Sequence, residues 1–115
     1  MLMHEFHVKS GWVVVDAGLK AHSIDSGAPR VASCPLRSEL PTHPAVEYVP
    51  AGDEHGKIVW KTIPEAESSP KFQIGDKLLL IPGHCDPTIN MYSWIVGMRK
   101  GVVEGVYPIA RNPGQ

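Results

Sequence analysis

Glycine and proline interrupt this chain so often that long regular elements have little room. Each occurs 11 times among 115 residues, so together they make up about a fifth of the chain, against roughly 12% in average usage. Proline breaks helix interiors and central strands, and glycine weakens both. The pattern therefore excludes a helical bundle, and the segments between the breaks must form short elements.

Most of these segments are apolar and rich in β-branched residues, which is typical of strands. Arg99, Lys100 and Gly101 separate the last two segments and are predicted to form a hairpin turn. We expect a mainly β fold, a small β-barrel or sandwich of short strands with one long irregular loop. The predicted strands are residues 12–15, 46–49, 57–61, 78–81, 91–98 and 102–109.

The long loop is predicted at residues 23–44, which contain four prolines together with serine and glycine. This composition argues against regular structure. Loops of such length inside a compact domain usually belong to a larger interface or are mobile. We expect this segment to be poorly ordered unless another domain or a second protomer covers it.

Length and charge exclude several functions. The chain forms one domain and is too short for a (β/α)₈ barrel, which needs about 200–250 residues. Its net charge of −1 disfavours nucleic-acid binding. The longest apolar run, residues 78–81, cannot cross a membrane, and the N-terminus lacks the pattern of a secretory signal. We expect a cytoplasmic protein in which Cys34 and Cys85 stay reduced.

A candidate metal site follows the predicted strand 78–81. In extended backbone, residues two apart face the same side, so His84 and Asp86 are predicted to converge while Cys85 points away. A structural zinc site needs four protein ligands. One imidazole and one carboxylate suit an open site for Mn²⁺, Mg²⁺ or Co²⁺. The alternative is that Asp86 caps a turn before Pro87 and that His84 is an ordinary loop residue.

Two further clusters contain polar side chains at strand ends. Residues 53–56 hold two carboxylates and His55, which is a candidate general base or a partner of metal ligands. The alternative for this cluster is a polar hairpin tip. Residues 16–21 hold Gly18, predicted at positive φ, and Lys20, which either binds an anion or is an ordinary surface lysine.

These stretches resemble a known family when they are taken in order. They read VDAGLKAHSIDSG at 15–27, EHG at 54–56 and GDKLLLIPGHCDPT at 75–88. They resemble the C-terminal domain of the D-threonine aldolase and D-serine dehydratase-like family, pyridoxal-phosphate enzymes related to alanine racemase. The resemblance predicts a β-rich domain at residues 11–110, an unmatched segment at 1–10 and a tail at 111–115.

The resemblance implies that catalysis is shared with a domain outside this sequence. In the family, an N-terminal (β/α)₈ barrel holds pyridoxal phosphate, so no cofactor-binding residue is expected here and the chain alone should be inactive. The barrel, on the same or a separate chain, is the expected partner, in a parent enzyme that is a homo-oligomer. The resemblance makes His84 and Asp86 the expected metal ligands and leaves His55 a weak catalytic candidate.

The second ligand separates two branches of the family. The resemblance implies a His-x-Cys pattern in the dehydratase branch, where this chain has Asp86. A carboxylate favours Mn²⁺ or Mg²⁺ over Zn²⁺. We therefore expect an aldolase-type lyase that cleaves D-3-hydroxy amino acids such as D-threonine. The alternatives are a D-serine dehydratase-type domain and a non-catalytic module for oligomerisation or partner binding.

Overall fold

The computed structural model describes residues 3–7, 11–62 and 71–110, with backbone only for 3–7. Eight strands and one short helix occur in these ranges. They are β1 (Met3–His7), β2 (Trp12–Val15), β3 (Arg30–Ser33), β4 (Val46–Pro50), β5 (Gly56–Trp60), β6 (Leu79–Ile81), α1 (Cys85–Ile89), β7 (Trp94–Arg99) and β8 (Val102–Pro108).

The largest sheet is antiparallel with the strand order β1-β2-β5-β4. Burial alternates along β2, because Val13 and Val15 are fully buried while their neighbours Trp12 and Val14 are half-buried. Burying one such valine stabilises the fold by roughly 1.5–3 kcal/mol. The buried core comprises Val13, Val15, Val31, Cys34, Leu40, Val46, Tyr48, Ile58, Phe72 and Leu78.

A second sheet pairs β3 with β6 and corrects the prediction for residues 23–44. Arg30–Ser33 of that segment forms a strand, and its Val31 is buried in the same core as the large sheet. Cys34 and Leu40 are also buried. The expectation of irregular structure was therefore wrong for Arg30–Ser33, and three apolar side chains anchor the segment despite its prolines, while its poor order without a partner stays a prediction.

β6 is less buried than its composition predicts. Leu80 packs against the core, whereas Leu79 and Ile81 are exposed. The short strand has only β3 as a ladder partner. Its outward face therefore remains open at the position where the chain continues into the candidate site.

The last two strands form the predicted hairpin. β7 and β8 pair antiparallel, with Arg99 opposite Val102. The two residues between them both have positive φ, 50° at Lys100 and 78° at Gly101. This combination defines the tight turn whose twist matches paired strands, so the predicted hairpin turn is confirmed.

The mainly β class is confirmed, and it takes the form of three sheets. Among the described residues the sheets contain four, two and two strands, and none closes into a barrel. Both cysteines are free, as expected, with Cys34 buried and Cys85 exposed. Within the described ranges, no helix has the length and apolar character needed to span a bilayer.

Candidate metal centre

The backbone around the predicted ligands differs from the expected extended strand. His84 is extended, with φ −143° and ψ 120°, but Cys85–Ile89 forms α1, so Asp86 lies in the first helical turn. A proline at the third helical position loses no hydrogen bond, because the first N–H groups of a helix have no internal partner. Thr88 closes the turn by donating its hydroxyl to the His84 carbonyl at 2.7 Å.

His84 is held by a carboxylate from a distant loop. Its Nδ1 donates to Oδ2 of Asp25 at 2.8 Å. This bond is the main cause that raises the pKa of His84 above its usual value, and the nearby charge of Asp86 adds to the effect. Since Nδ1 is engaged, Nε2 is the ring nitrogen left to bind a cation.

Asp25 is itself oriented by hydroxyl groups. Ser23 Oγ donates to its Oδ1 at 2.6 Å, and Ser26 Oγ lies 3.4 Å from its Oδ2. The bond from Ser23 is the largest cause that lowers the pKa of Asp25 to about 2, and the bond from His84 is the second. Asp25 therefore stays ionised and keeps one fixed orientation toward the imidazole.

Backbone contacts hold this loop against the start of α1. The Ser23 N–H donates to Thr88 Oγ1 at 3.0 Å. Gly83 lies so close to Gly27 that an added Cβ would overlap the Gly27 carbonyl oxygen. The absence of a side chain at Gly83 is thus what allows residues 23–27 to approach His84.

The donor set fits a divalent cation in an open site. No group of three or more His, Cys, Asp or Glu side chains in the described ranges has the arrangement of a metal site, so His84 and Asp86 would be the only protein ligands there. A histidine whose second nitrogen binds a carboxylate is the usual arrangement for a metal ligand. Two donors of N and O type leave coordination positions for water and substrate.

Asp25 is the residue that sequence reasoning missed. It occurs in the motif SIDSG at residues 23–27, whose serine two positions before the aspartate predicts a local hydroxyl–carboxylate contact. Nothing in that spacing indicates its partner, since His84 lies 59 residues further along the chain.

The other two predicted clusters, residues 16–21 and residues 53–56, contact each other. Leu19 and Lys20 donate their N–H groups to the carbonyls of Gly52 and Asp53, both at 3.0 Å. Lys20 Nζ pairs with Glu54 Oε1 at 2.6 Å in an exposed position. This hydrogen bond raises the pKa of Lys20, opposite to what a nucleophilic lysine requires, so Lys20 is a surface lysine.

The glycines of these clusters are required for close approach. Gly18 does not have the predicted positive φ; instead, a Cβ there would overlap the Asp53 backbone. Gly56 leaves room for the ring of Tyr48, whose hydroxyl donates to the Ala17 carbonyl at 2.6 Å. His55 is exposed beside this junction, and its catalytic role stays a prediction.

A cavity of about 420 Å³ lies between the end of β2 and α1, lined by Asp16, His22, Pro82 and Thr88 among others. His22 is buried against the edge of Tyr48, and its Nε2 has no hydrogen-bond partner in the described part of the chain. Burial lowers the pKa of His22. The neutral imidazole is therefore the form that the fold accommodates.

Asp76, in the motif GDK at residues 75–77, is structural. Its Oδ2 accepts from the Gln73 N–H at 2.8 Å and from Arg37 at 3.0 Å. It thereby joins the turn before β6 to the loop after β3.

Comparison with known proteins connects this geometry to a family. Residues 6–98 match the family described as "Putative serine dehydratase domain". The chain is 43% identical over 109 residues to the 3-hydroxy-D-aspartate aldolase of Paracoccus denitrificans. This match covers 94% of this chain and 24% of that enzyme. It is 33% identical to the D-threonine aldolase of an Arthrobacter species, over 85% of this chain and 22% of the relative.

Solved structures of related enzymes contain a domain that is similar to this chain. The crystal structure of D-threonine aldolase from Filomicrobium marinum has a TM-score of 0.66 at 34% identity and covers 93% of this chain and 25% of that one. A mutant D-threo-3-hydroxyaspartate dehydratase in its metal-free form has a TM-score of 0.73, covering 94% of this chain and 30% of that one. At 23% sequence identity, this structural similarity shows a shared fold. The chain spans about a quarter of the length of the curated relatives that it matches.

Proposed function

Because the chain belongs to the serine dehydratase domain family, we propose that it is the metal-binding domain of a pyridoxal-phosphate-dependent lyase acting on D-3-hydroxy amino acids. Aldolase-type cleavage is the favoured reaction. Relatives at 43% and 33% identity are named 3-hydroxy-D-aspartate aldolase and D-threonine aldolase, which supports that choice. The active enzyme combines this domain with a cofactor-bearing barrel on the same or a separate chain.

The observation that carries the proposal is the hydrogen bond from His84 to Asp25 beside Asp86. Asp25 holds the imidazole so that Nε2 is available, and Asp86 in the first turn of α1 is close enough for its charge to raise the pKa of His84. His84 Nε2 and Asp86 would hold Mn²⁺ or Mg²⁺, with Zn²⁺ as the alternative. Both side chains of the His84–Asp25 pair are partly exposed, at 41% and 49%, so the site is open to a substrate.

The chemistry of the bound groups is simple to state. The cation would supply a Lewis acid for the 3-hydroxyl of the substrate, and pyridoxal phosphate would supply an electron sink for cleavage of the Cα–Cβ bond to glycine and an aldehyde. This chain binds and orients the cation through His84 and Asp86. Asp25 fixes the ring orientation of His84 and favours its binding-competent tautomer.

Asp86 is the reason for preferring the aldolase reaction to the dehydratase reaction. A carboxylate is a harder ligand than a thiolate and suits Mn²⁺ or Mg²⁺. Cys85 lies next to it in the sequence and is exposed, so a variant can test which side chain binds. Dehydratase chemistry through Cys85 and Zn²⁺ is the second candidate.

Metal binding is the first test. Titration of the chain with Mn²⁺, followed by the electron paramagnetic resonance signal of free Mn²⁺, should show one weak site, of about millimolar affinity for two ligands. We expect His84→Ala and Asp86→Asn each to weaken it at least about tenfold. Cys85→Ser and the exposed Asp53→Asn serve as matched controls. Binding that survives Asp86→Asn and is lost in Cys85→Ser would contradict the assignment.

Activity is the second test. A chimera in which this chain replaces the matching segment of the Paracoccus denitrificans aldolase should cleave D-threonine or 3-hydroxy-D-aspartate in a Mn²⁺-dependent way. Asp86→Ala should abolish that cleavage, and retained activity would overturn the metal role. A chimera that dehydrates the substrate would favour the second candidate, and one that binds no metal would favour a non-catalytic module. Homo-oligomerisation and cytoplasmic location remain predictions.

A further inference from the structure

The β7–β8 hairpin presents one continuous apolar face. Side chains alternate along a strand, so the residues at 94, 96 and 98 of β7 share a face with their ladder partners on β8. All its large side chains are more than half exposed, at 51–62%, and none is charged. We call this set the apolar face; it consists of Trp94, Val96, Met98, Val103 and Val106.

The opposite face carries a charged side chain, although Ile95, Val102 and Tyr107 are also exposed there. Gly97 and Gly105 oppose each other there, and the ring of Tyr107 lies over both, which is why a Cβ at either position would meet it. Arg99 and Glu104 form an exposed ion pair at 2.8 Å on the hairpin. The two faces therefore differ in charge, because Arg99 lies on the opposite face and the apolar face carries no charged side chain.

Nothing in the described part of the chain covers the apolar face. β7 and β8 pair only with each other, and an isolated two-stranded hairpin is marginally stable in water. The molecule measures 54 × 30 × 22 Å with a radius of gyration of 15.5 Å, larger than the roughly 13 Å typical of a compact chain of this length. An exposed apolar patch of this kind usually marks an interface.

We propose that the apolar face docks against the cofactor-bearing part of the lyase; the identity of this partner rests on the proposed function. The chain spans only 24% of the Paracoccus denitrificans aldolase, so most of such an enzyme lies outside it. The hairpin begins at Trp94, shortly after α1 ends at Ile89. Tyr92, two residues before β7, lines the same cavity as Thr88 of α1. A partner seated at the Trp94 end of the hairpin would therefore lie beside that cavity.

A second copy of the chain is the competing occupant. It would bring only another His84 and Asp86, whereas the open site needs groups that these two residues do not provide. Docking on the cofactor-bearing part covers the apolar face and completes the site in one contact. The observations therefore favour the cofactor-bearing part.

Hydrogen–deuterium exchange of the chimera described above tests the docking. Amides of β7 and β8 should exchange at least about tenfold more slowly in the chimera than in the 115-residue chain. Val96→Asp, on the apolar face, should abolish this protection. Ile95→Asp, the matched variant on the opposite face of the same strand, should leave it intact.

A measurement without a hairpin variant supports the same test. Met98, on the apolar face, is 62% exposed, and Met91, which lies outside the hairpin and is 44% exposed, serves as the comparison methionine. Oxidation of Met98 by peroxide should slow at least about fivefold in the chimera relative to the isolated chain. Equal exchange and oxidation in both proteins would overturn the docking, as would equal effects of the two Asp variants.

Other outcomes separate the explanations. Protection that appears in the isolated chain as its concentration rises would identify a second copy as the occupant and overturn the proposal. A protected hairpin in a chimera that binds cofactor but shows no metal-dependent cleavage would reject the proposed function while supporting the docking. An active chimera whose hairpin is unprotected would reject the docking while supporting the proposed function.

Discussion

Gly83→Ala should separate Asp25 from His84 without altering either side chain. A Cβ at position 83 would lie 2.2 Å from the carbonyl oxygen of Gly27, and real Cβ atoms keep at least 3.0 Å. The loop carrying Asp25 must therefore retreat by about 0.8 Å. Added along the 2.8 Å bond between Nδ1 and Oδ2, this shift gives about 3.6 Å, which is too long for a hydrogen bond.

The expected result is a fall in the pKa of His84 toward its ordinary value, because the bond to Asp25 is the main cause of its elevation. Nuclear magnetic resonance titration of the His84 ring measures this directly. Mn²⁺ affinity should fall about tenfold, as is typical when the partner of a metal-binding histidine is lost. Crowding of this kind should also lower the free energy of unfolding by about 1–3 kcal/mol.

Gly97→Ala is the control for this experiment. Its Cβ would meet the Tyr107 ring at 3.3 Å and the Gly105 carbonyl oxygen at 3.7 Å, both on the exposed hairpin, so the titration of His84 should not change. If Gly83→Ala leaves the pKa of His84 raised and Mn²⁺ affinity intact, the close approach of Gly83 to Gly27 does not position the pair.

Three further predictions concern stability. Asp76→Ala should lower the free energy of unfolding by about 2–3 kcal/mol, because the Gln73 N–H loses its acceptor and Arg37 loses the more buried of its two carboxylate partners; Glu39→Ala, which removes the exposed partner of Arg37, should cost much less in the same urea titration. Tyr48→Phe should cost about 1–2 kcal/mol, since the buried Ala17 carbonyl loses its donor, whereas Tyr107→Phe should be neutral. Because burial lowers the pKa of His22, its contribution is complete above about pH 6.5 and is lost as pH falls, at no more than about 1.4 kcal/mol per pH unit. The raised pKa of His84 changes stability with pH in the opposite direction, so the effect of His22 must be isolated with a variant. The difference in melting temperature between pH 7.5 and pH 5.5 should therefore be measured for the parent chain and for His22→Phe, which should lack the loss of stability at low pH that His22 causes. The same difference in both proteins would exclude a contribution from His22.

Local patterns predicted the elements that depend on local chemistry. The run of β-branched residues at 13–15 placed β2, and Arg99, Lys100 and Gly101 placed the hairpin turn. β3 was missed because the prolines around it outweighed Val31, whose burial depends on strands distant in sequence. The helix at Cys85–Ile89 was missed because the residues after 78–81 were predicted to continue as extended backbone, although the first turn of a helix accepts Pro87.

The candidate site was predicted in part for the same reason. His84 and Asp86 were identified from residue type and spacing, which are local features. The partnership of His84 with Asp25 depends on how residues 23–27 return to Gly83. The prediction of a positive φ at Gly18 was wrong. Glycine is needed there because the backbone of Asp53, which is distant in sequence, leaves no room for a Cβ. Spacing indicates candidate ligands, but their partners arise from tertiary packing.

The β3–β6 ladder has a consequence for how the site assembles during folding. Asp25 precedes β3 and His84 follows β6, while Arg30 pairs with Ile81 at the adjoining end of the ladder. The pair can therefore form only after a loop of more than fifty residues has closed, which is a slow, non-local event. The gain of cation affinity should accordingly appear only after the β3–β6 ladder has closed in a refolding experiment, so that a binding-competent His84 reports the formation of that ladder.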